Sequence, residues 1–369
     1  MSQPTPPSRR QFLTGRAALD AVRKAATDAA LGDGQGNSPF AVFDSADAPY
    51  TVRYTRTAMA SDFQLALVAG FPDDAGEAAL AALDVIEDLE AQLTVYRETS
   101  EVLEINRRAA AEPVVVEPRL FDLLRRAATW HRETGGAFDI TSDPLSKAWG
   151  FARRQGAIPA PEALAEARGK VGAERVVLDA AAQTVRFTEP GTEINFNSCG
   201  KGYALDRAAE LLRARGVEHF LWHGGQSSVV AFGSANPGRD LAAGWPIGIG
   251  HPLRTDVRLA EVIVRNGGAG TSGAGFQFFR HGGKRYGHIL DPRTGMPAEG
   301  VFSVTVLAPS GAEADALSTA FYVLGYEASA KFCETRPDIG FLMLLPGRGG
   351  GSVELAVCGL ADDIWRLVD

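Results

Sequence analysis

Asp315 and Thr319 stand four residues apart in Ala314-Asp-Ala-Leu-Ser-Thr-Ala-Phe321, a string that reads as helix. That spacing sets a carboxylate and a hydroxyl on one face, one turn apart. Both are hard oxygen donors suited to Mg2+, an ion that takes few protein ligands and keeps positions for water and phosphate oxygens. The same two residues would equally serve as an acidic first turn with a hydroxyl bonding back to the backbone. Spacing alone leaves both readings open.

A second group is His288-Ile-Leu-Asp-Pro-Arg-Thr-Gly295. Asp291-Pro292 and Thr294-Gly295 carry turn chemistry, because Asx side chains bond their own backbone and glycine tolerates positive φ. His288 is one of six histidines. Its ordinary pKa lies near neutrality, so it suits general acid or base work.

The third stretch is Glu193-Ile-Asn-Phe-Asn-Ser-Cys-Gly-Lys-Gly-Tyr203, followed by Ala-Leu-Asp-Arg-Ala-Ala-Glu-Leu-Leu. It reads as a short strand, a tight turn and a helix with a buried face at Ala204, Ala208, Leu211 and Leu212. Gly200 and Gly202 bracket Lys201 at the helix start, where N–H groups and an ammonium would favour an anion. The Walker pattern fails at Asn195 and Gly202, and the dinucleotide fingerprint fails at Leu205. A purely structural turn stands beside the anion site as an alternative.

These residues need a scaffold. Val52 to Val68 reads as two strands about Met59-Ala-Ser-Asp62, with alternation at Phe63, Leu65 and Leu67. Helices are expected over Ala78–Leu93, Pro118–Thr134, Pro161–Arg168 and Glu313–Leu324. Strands are expected near His219–His223, Ile247–Gly250, Leu259–Arg265 and Val301–Leu307, the third leading to Gly270-Thr-Ser-Gly273. A hairpin is expected to carry Tyr286 to Gly295. After the 313–324 helix a further helix and two strands are expected. Antiparallel hairpins mixed with helices make the class α+β rather than doubly wound.

With 369 residues, 45% hydrophobic and 22% charged, this is an ordinary globular composition with ample core. A net charge of −8 argues against a nucleic-acid surface as the main function. Cys199, Cys333 and Cys358 are odd in number and widely spaced, giving neither metal-ligand spacing nor a disulfide framework. Cys199 reads as a small buried residue. Residues 1–48 are Pro-, Ala-, Gly- and Asp-rich and are expected to be poorly ordered, with 49–369 forming the folded domain. Ser8-Arg-Arg-Gln-Phe-Leu13 resembles a twin-arginine export signal without the apolar h-region that follows one. Cytoplasmic and exported (periplasmic or membrane-associated) locations both stay open. No stretch is long and apolar enough to span a membrane.

In their order, these motifs resemble the FAD:protein FMN transferases, the ApbE (thiamine-biosynthesis lipoprotein) family. The resemblance covers about residues 50–345. It rests on Met59, Tyr96-Arg97 with Glu101 to Asn106, Gly136-Ala-Phe-Asp139, Gly200-Lys-Gly-Tyr-Ala204, Gly224-Gly225, Thr271-Ser-Gly273, His288 to Gly295, and Ala314 to Thr319. It implies a mixed fold of antiparallel sheets packed on helices, one large domain with a smaller subdomain. It further implies cleavage of FAD, release of AMP, and attachment of FMN to a threonine of a partner flavoprotein. By position, Met59, Tyr96, Ala137, Phe138, Asp139, Lys201 and Ile289 would line the FAD site. Asp315, Thr319 and the carbonyl of Ser198 would hold Mg2+, with Ser318 beside them, and His288 would deprotonate the acceptor hydroxyl.

The chain departs from the family pattern at a few places. Asn195 replaces an acidic residue expected to contact FAD; an amide still accepts a hydrogen bond but brings no charge. Gln226 replaces a second carboxylate, and Ala274-Gly275 follow Ser272-Gly273 where Asp-Tyr or similar is usual. Two alternatives therefore accompany transfer: hydrolysis of FAD to FMN and AMP, and a flavin-binding relative without turnover.

Overall fold

The structure is a computed structural model that describes residues 40–41 and 51–368, apart from 69–71, 73, 238–242, 274, 276 and 349–350. Ser8–Leu13, and all of the 1–48 segment except Phe40 and Ala41, lie outside the described residues.

In chain order the first elements are β1 (Phe40–Ala41), β2 (Thr51–Ala58), β3 (Ser61–Val68), α1 (Ala75–Leu93) and α2 (Glu101–Arg108). Then come β4 (Val114–Val115), α3 (Pro118–Glu133), α4 (Asp143–Ala148), α5 (Pro161–Arg168), β5 (Val176–Asp179) and β6 (Thr184–Phe187). The middle of the chain holds α6 (Gly200–Ala214), β7 (Phe220–Gly224), β8 (Ser228–Phe232), β9 (Trp245–His251), β10 (Arg254–Val264) and β11 (Gly267–Gly273). The last are β12 (Phe278–His281), β13 (Lys284–Gly287), β14 (Ser303–Ala308), α7 (Gly311–Thr335), β15 (Gly340–Pro346), β16 (Val353–Cys358) and β17 (Trp365–Leu367).

Eight strands form the central antiparallel sheet, in the order β16-β15-β14-β11-β8-β7-β3-β2. Side chains alternate across it as the pleat requires. Phe63, Leu65, Phe220, Trp222 and Val230 face α1 and α6, whereas Leu221, Val229, Ala231, Leu342 and Leu344 face a second sheet of order β1-β9-β10-β17. Helices thus cover one face of the central sheet and a four-stranded sheet covers the other. The α+β expectation holds.

Two local features differ from the sequence expectation, each for a tertiary reason. Gly267-Gly-Ala-Gly-Thr-Ser-Gly273 has poor strand propensity, yet it is a central strand between β8 and β14. A side chain at Gly268 or Gly270 would lie 2.5 Å from the α7 backbone, so glycine is what lets this helix rest on the sheet. The helix expected over Glu313–Leu324 runs from Gly311 to Thr335, with a kink at Gly325 (φ 72°) joining it to the further helix expected after it.

Candidate functional site

The site is built where α6 crosses α7. A β-carbon at Gly202 would sit 2.1 Å from the Gly311 carbonyl oxygen, and one at Gly311 would meet Val230 at 2.6 Å. Glycines here let the two helix N-termini and β8 meet closely. Asp206 fastens the crossing, accepting hydrogen bonds from the Gly311 and Ala312 amides at 2.7 and 2.9 Å. It therefore caps α7 from another helix. Burial pushes its carboxyl pKa up to about 7, against those two hydrogen bonds.

At this crossing the Asp315 carboxylate is buried. Its Oδ2 accepts from the Gly202 amide at 2.7 Å and from the Ser228 hydroxyl at 2.8 Å. Its Oδ1 makes no hydrogen bond among the described residues. Burial pushes its pKa up to about 6, and the charge of Lys201 works in the opposite direction. Ser318 and Thr319 donate to the Asp315 carbonyl at 2.9 and 3.2 Å, and Ser272 on β11 lies 2.9 Å from the Ser318 hydroxyl and 3.3 Å from that of Thr319. The back-bonding alternative for Thr319 is thus realised, and its remaining oxygen lone pair belongs to the same hydroxyl cluster.

The 193–203 turn is held from a distance. Asn106 clamps Ile194 like a strand partner, donating to its carbonyl at 2.9 Å and accepting from its amide at 2.8 Å. Asn195 is buried; its Nδ2 donates to Asp143 at 3.2 Å and its Oδ1 accepts from the Asn197 amide at 2.9 Å. Ser198 is partly exposed at the turn, and Cys199 is fully buried, its thiol pKa raised by burial. Cys199 is thus the small buried residue expected, with no reactive thiolate. The Lys201 stem passes close to Gly225. Gly225 donates to the Asp62 carbonyl at 3.0 Å and lies against Ser61. That contact brings in the β2–β3 turn, where Met59 and Ala60 both take positive φ, 49° and 53°. Two consecutive non-glycine residues in this region form a strained two-residue hairpin loop.

His288 follows β13 directly, rather than lying within a strand as the hairpin expectation placed it. Its Nδ1 is 3.0 Å from the Gln277 carbonyl oxygen. A carbonyl can only accept, so Nδ1 carries the hydrogen and Nε2 keeps its lone pair. Burial, with a smaller contribution from Lys201, lowers the imidazole pKa. Ile289 is buried in the main core. The following turn has the expected chemistry: Asp291 accepts from the Arg293 amide at 2.9 Å, and Gly295 takes φ 77°.

Three other predicted residues are core rather than surface. Ala137 and Phe138 are each 1% exposed, and Phe138 packs edge-on against Trp130. Asp139 spends its carboxylate locally, accepting from Thr141 at 2.7 and 2.6 Å, from Ala173 at 3.1 Å, and pairing with His131 at 3.3 Å. Tyr96 is the opposite case, 74% exposed after α1. The structure therefore gathers Ser318, Thr319 and Asp315, with Lys201 at the same helix crossing. It holds Ala137, Phe138 and Asp139 in a neighbouring core. Ser228 and Ser272 receive no role from the sequence, although Ser272 lies within Thr271-Ser-Gly273 and Ser228 follows Gly224-Gly225, two motifs that signalled the region.

The donor set fits a Mg2+ ion. Asp315 is a buried carboxylate whose Oδ1 accepts no hydrogen bond among the described residues, and the Thr319 hydroxyl one turn on is a second hard oxygen of the kind this ion takes. No group of three or more His, Cys, Asp or Glu able to hold a metal occurs among the described residues. A single-carboxylate site of this kind leaves coordination to water and phosphate oxygens.

Fold and site together define an α+β protein organised around a buried oxygen cluster beside a lysine. The chain belongs to the ApbE family, whose model matches residues 50–343. It is 33% identical over 274 residues to the FAD:protein FMN transferase of Treponema pallidum, covering 72% of this chain and 76% of that protein. Identity to the FAD:protein FMN transferase of Haemophilus influenzae is 29% over 273 residues, 72% of this chain and 78% of the relative. Among solved structures, the ApbE protein of Thermotoga maritima superposes with TM-score 0.73 at 29% identity, covering 83% of this chain and 96% of the other. The flavin transferase ApbE of Vibrio cholerae gives TM-score 0.73 at 26% identity, covering 84% and 97%. No described helix is long and apolar enough to cross a membrane.

Proposed function

We propose that this protein is an FAD:protein FMN transferase that moves FMN from FAD to a threonine hydroxyl of a partner flavoprotein and releases AMP in a Mg2+-dependent reaction. The observation that carries the reading is the buried Asp315 carboxylate, donor-bound on Oδ2 and open on Oδ1, at the end of a glycine-lined helix crossing. The family membership and the names of the relatives point the same way.

In this reading Asp315, Thr319 and the Ser198 carbonyl hold Mg2+, which supplies charge neutralisation at the diphosphate. Lys201 adds a second positive charge at the same place, and the pyrophosphate lies near the N-terminus of α6. Met59, Tyr96, Ala137, Phe138, Asp139, Asn195, Lys201 and Ile289 line the FAD site. Ser318 positions Thr319 through their shared partners. His288 Nε2 takes the proton of the acceptor hydroxyl. The acceptor oxygen forms a bond to the FMN phosphorus as the bond from that phosphorus to the bridging oxygen breaks, and AMP carries that oxygen away. Charge stabilisation and positioning provide most of the catalysis in such displacements, so no covalent enzyme intermediate is required.

The test is direct. Purified protein is incubated with FAD, Mg2+ and a threonine-containing acceptor, and the acceptor mass is measured. A gain of one FMN on threonine, with AMP in equal amount, is expected. Free FMN and AMP with no adduct would select hydrolysis, and intact FAD with every acceptor would overturn the reading.

A further inference from the structure

The β12–β13 hairpin stands outside both large sheets as a two-stranded unit. Its base is held by an aromatic cluster: Phe279 stacks on Tyr286 at 5.1 Å between ring centres, and both lie against Trp149. The loop after α4 joins it, because Gly156 packs directly on the Phe279 ring and the Gln277 amide donates to the Phe151 carbonyl at 2.7 Å. Two segments distant in sequence therefore form one surface.

That surface has an unusual charge. Residues 148–161 contain Arg153 and Arg154 and no acid, and residues 267–290 contain Arg280, Lys284 and Arg285 and no acid. The whole chain, by contrast, has 45 acidic against 37 basic residues. All five cationic residues are exposed. Lys284 pairs with Glu299, and Arg285 lies over the Phe278 ring. Among the described residues, no ion pair engages Arg153, Arg154 or Arg280. The hairpin register sets Arg280 opposite Arg285 and His281 opposite Lys284. Arg280 and Arg285 are like charges directly opposed across the ladder, which disfavours the folded hairpin. An anionic partner would remove that cost.

We infer that the face formed by β12, β13 and residues 151–157 receives an acidic segment of the acceptor protein. The identity of this partner as the acceptor rests on the transfer reading, and location supports it. β13 ends at Gly287, so a segment bound on the hairpin reaches His288 without further travel. A polypeptide fits better than a nucleic acid, because the cationic area is small and the rest of a chain with net charge −8 repels an extended polyanion. Charges at such a rim act mainly on encounter and partner choice.

The experiment uses the full chain without FAD. Binding is read by anisotropy of a labelled peptide with one threonine flanked by Asp and Glu, and of its counterpart flanked by Asn and Gln. The acidic peptide is expected to bind at least about tenfold more tightly, with the difference lost at about 0.5 M salt. R280E alone and the R153E/R154E pair should each erase the preference, while R186E on β6 should keep it. FAD affinity should stay unchanged in all four proteins. Equal binding of the two peptides, or a preference that survives both patch variants, would overturn the inference. So would tighter binding of a single-stranded oligonucleotide, or a matching loss of FAD affinity, which would assign the cations to FAD. Failure of FMN transfer would leave these binding results intact and count against the transfer reading instead.

Discussion

The amide of Gly202 donates to Asp315 Oδ2 at 2.7 Å, joining residues 113 positions apart in sequence. This single bond ties the first turn of α6 to the carboxylate proposed to hold the metal. It exists because no side chain separates the two helices at Gly202. Several consequences can be measured.

Gly202→Ala places a methyl group against the Gly311 carbonyl. The helices must separate, stretching the Gly202–Asp315 bond. A loss of about 2–4 kcal/mol in urea unfolding is expected, together with loss of FMN transfer. Wild-type stability in this variant would show that the crossing is looser than described.

Asp315→Asn should abolish transfer by about 10²–10³-fold while changing stability in a pH-dependent way. The carboxyl pKa is raised to about 6 in the fold from 3.8. The folded state thus prefers the protonated form, and stability contributed by this group is complete below pH 4 and lost as pH rises through 6. By linkage the loss is about 3 kcal/mol. In a chelator-containing buffer the Asn variant should therefore gain on wild type between pH 4 and 7 and keep a constant advantage above. Asp206, raised to about 7 chiefly by burial and in part by the Asp315 charge, titrates more easily once that charge is removed, which adds to the gain of the Asn variant at neutral pH. Parallel stability curves would refute the burial argument.

His288→Gln should keep FAD binding and lower transfer by about 10²–10⁴-fold, the contribution of a positioned general base. Burial depresses the imidazole pKa, so the neutral base persists below the ordinary histidine range. The acid limb of the wild-type rate should fall below pH 6.5, and the variant should lack that limb. An acid limb retained by His288→Gln would assign the base elsewhere.

His131 supports the loop that carries Phe138 and Asp139. Its pKa is raised, chiefly by the Asp139 hydrogen bond and against burial. The stabilising contribution is complete below pH 6.5 and is lost as pH rises through the folded-state value. His131→Ala should cost about 1–3 kcal/mol near pH 5.5, and less at pH 8.5. A thermal-denaturation series across that range decides the matter, and a pH-independent cost would exclude the charged pair.

Much of this protein could be read from its residues. Period-2 alternation at Phe63, Leu65 and Leu67 placed β3, and the helix expected over Pro118–Thr134 is α3. These are local signals: side-chain spacing and turn residues set the element regardless of what packs on it. The same holds for the Asp315–Thr319 pair, since helical geometry alone puts them on one face.

Tertiary structure decided the rest. Gly267–Gly273 is a central strand only because α7 lies against it, and no propensity could announce that. Asp139 lies just after the turn at residues 134–138 and Asp315 near the start of α7, and each is a single carboxylate in its segment. One spends its oxygens on Thr141, Ala173 and His131, whereas the other keeps an oxygen open. Hydrogen-bond partners drawn from distant segments make that difference, and a chain read residue by residue does not contain them.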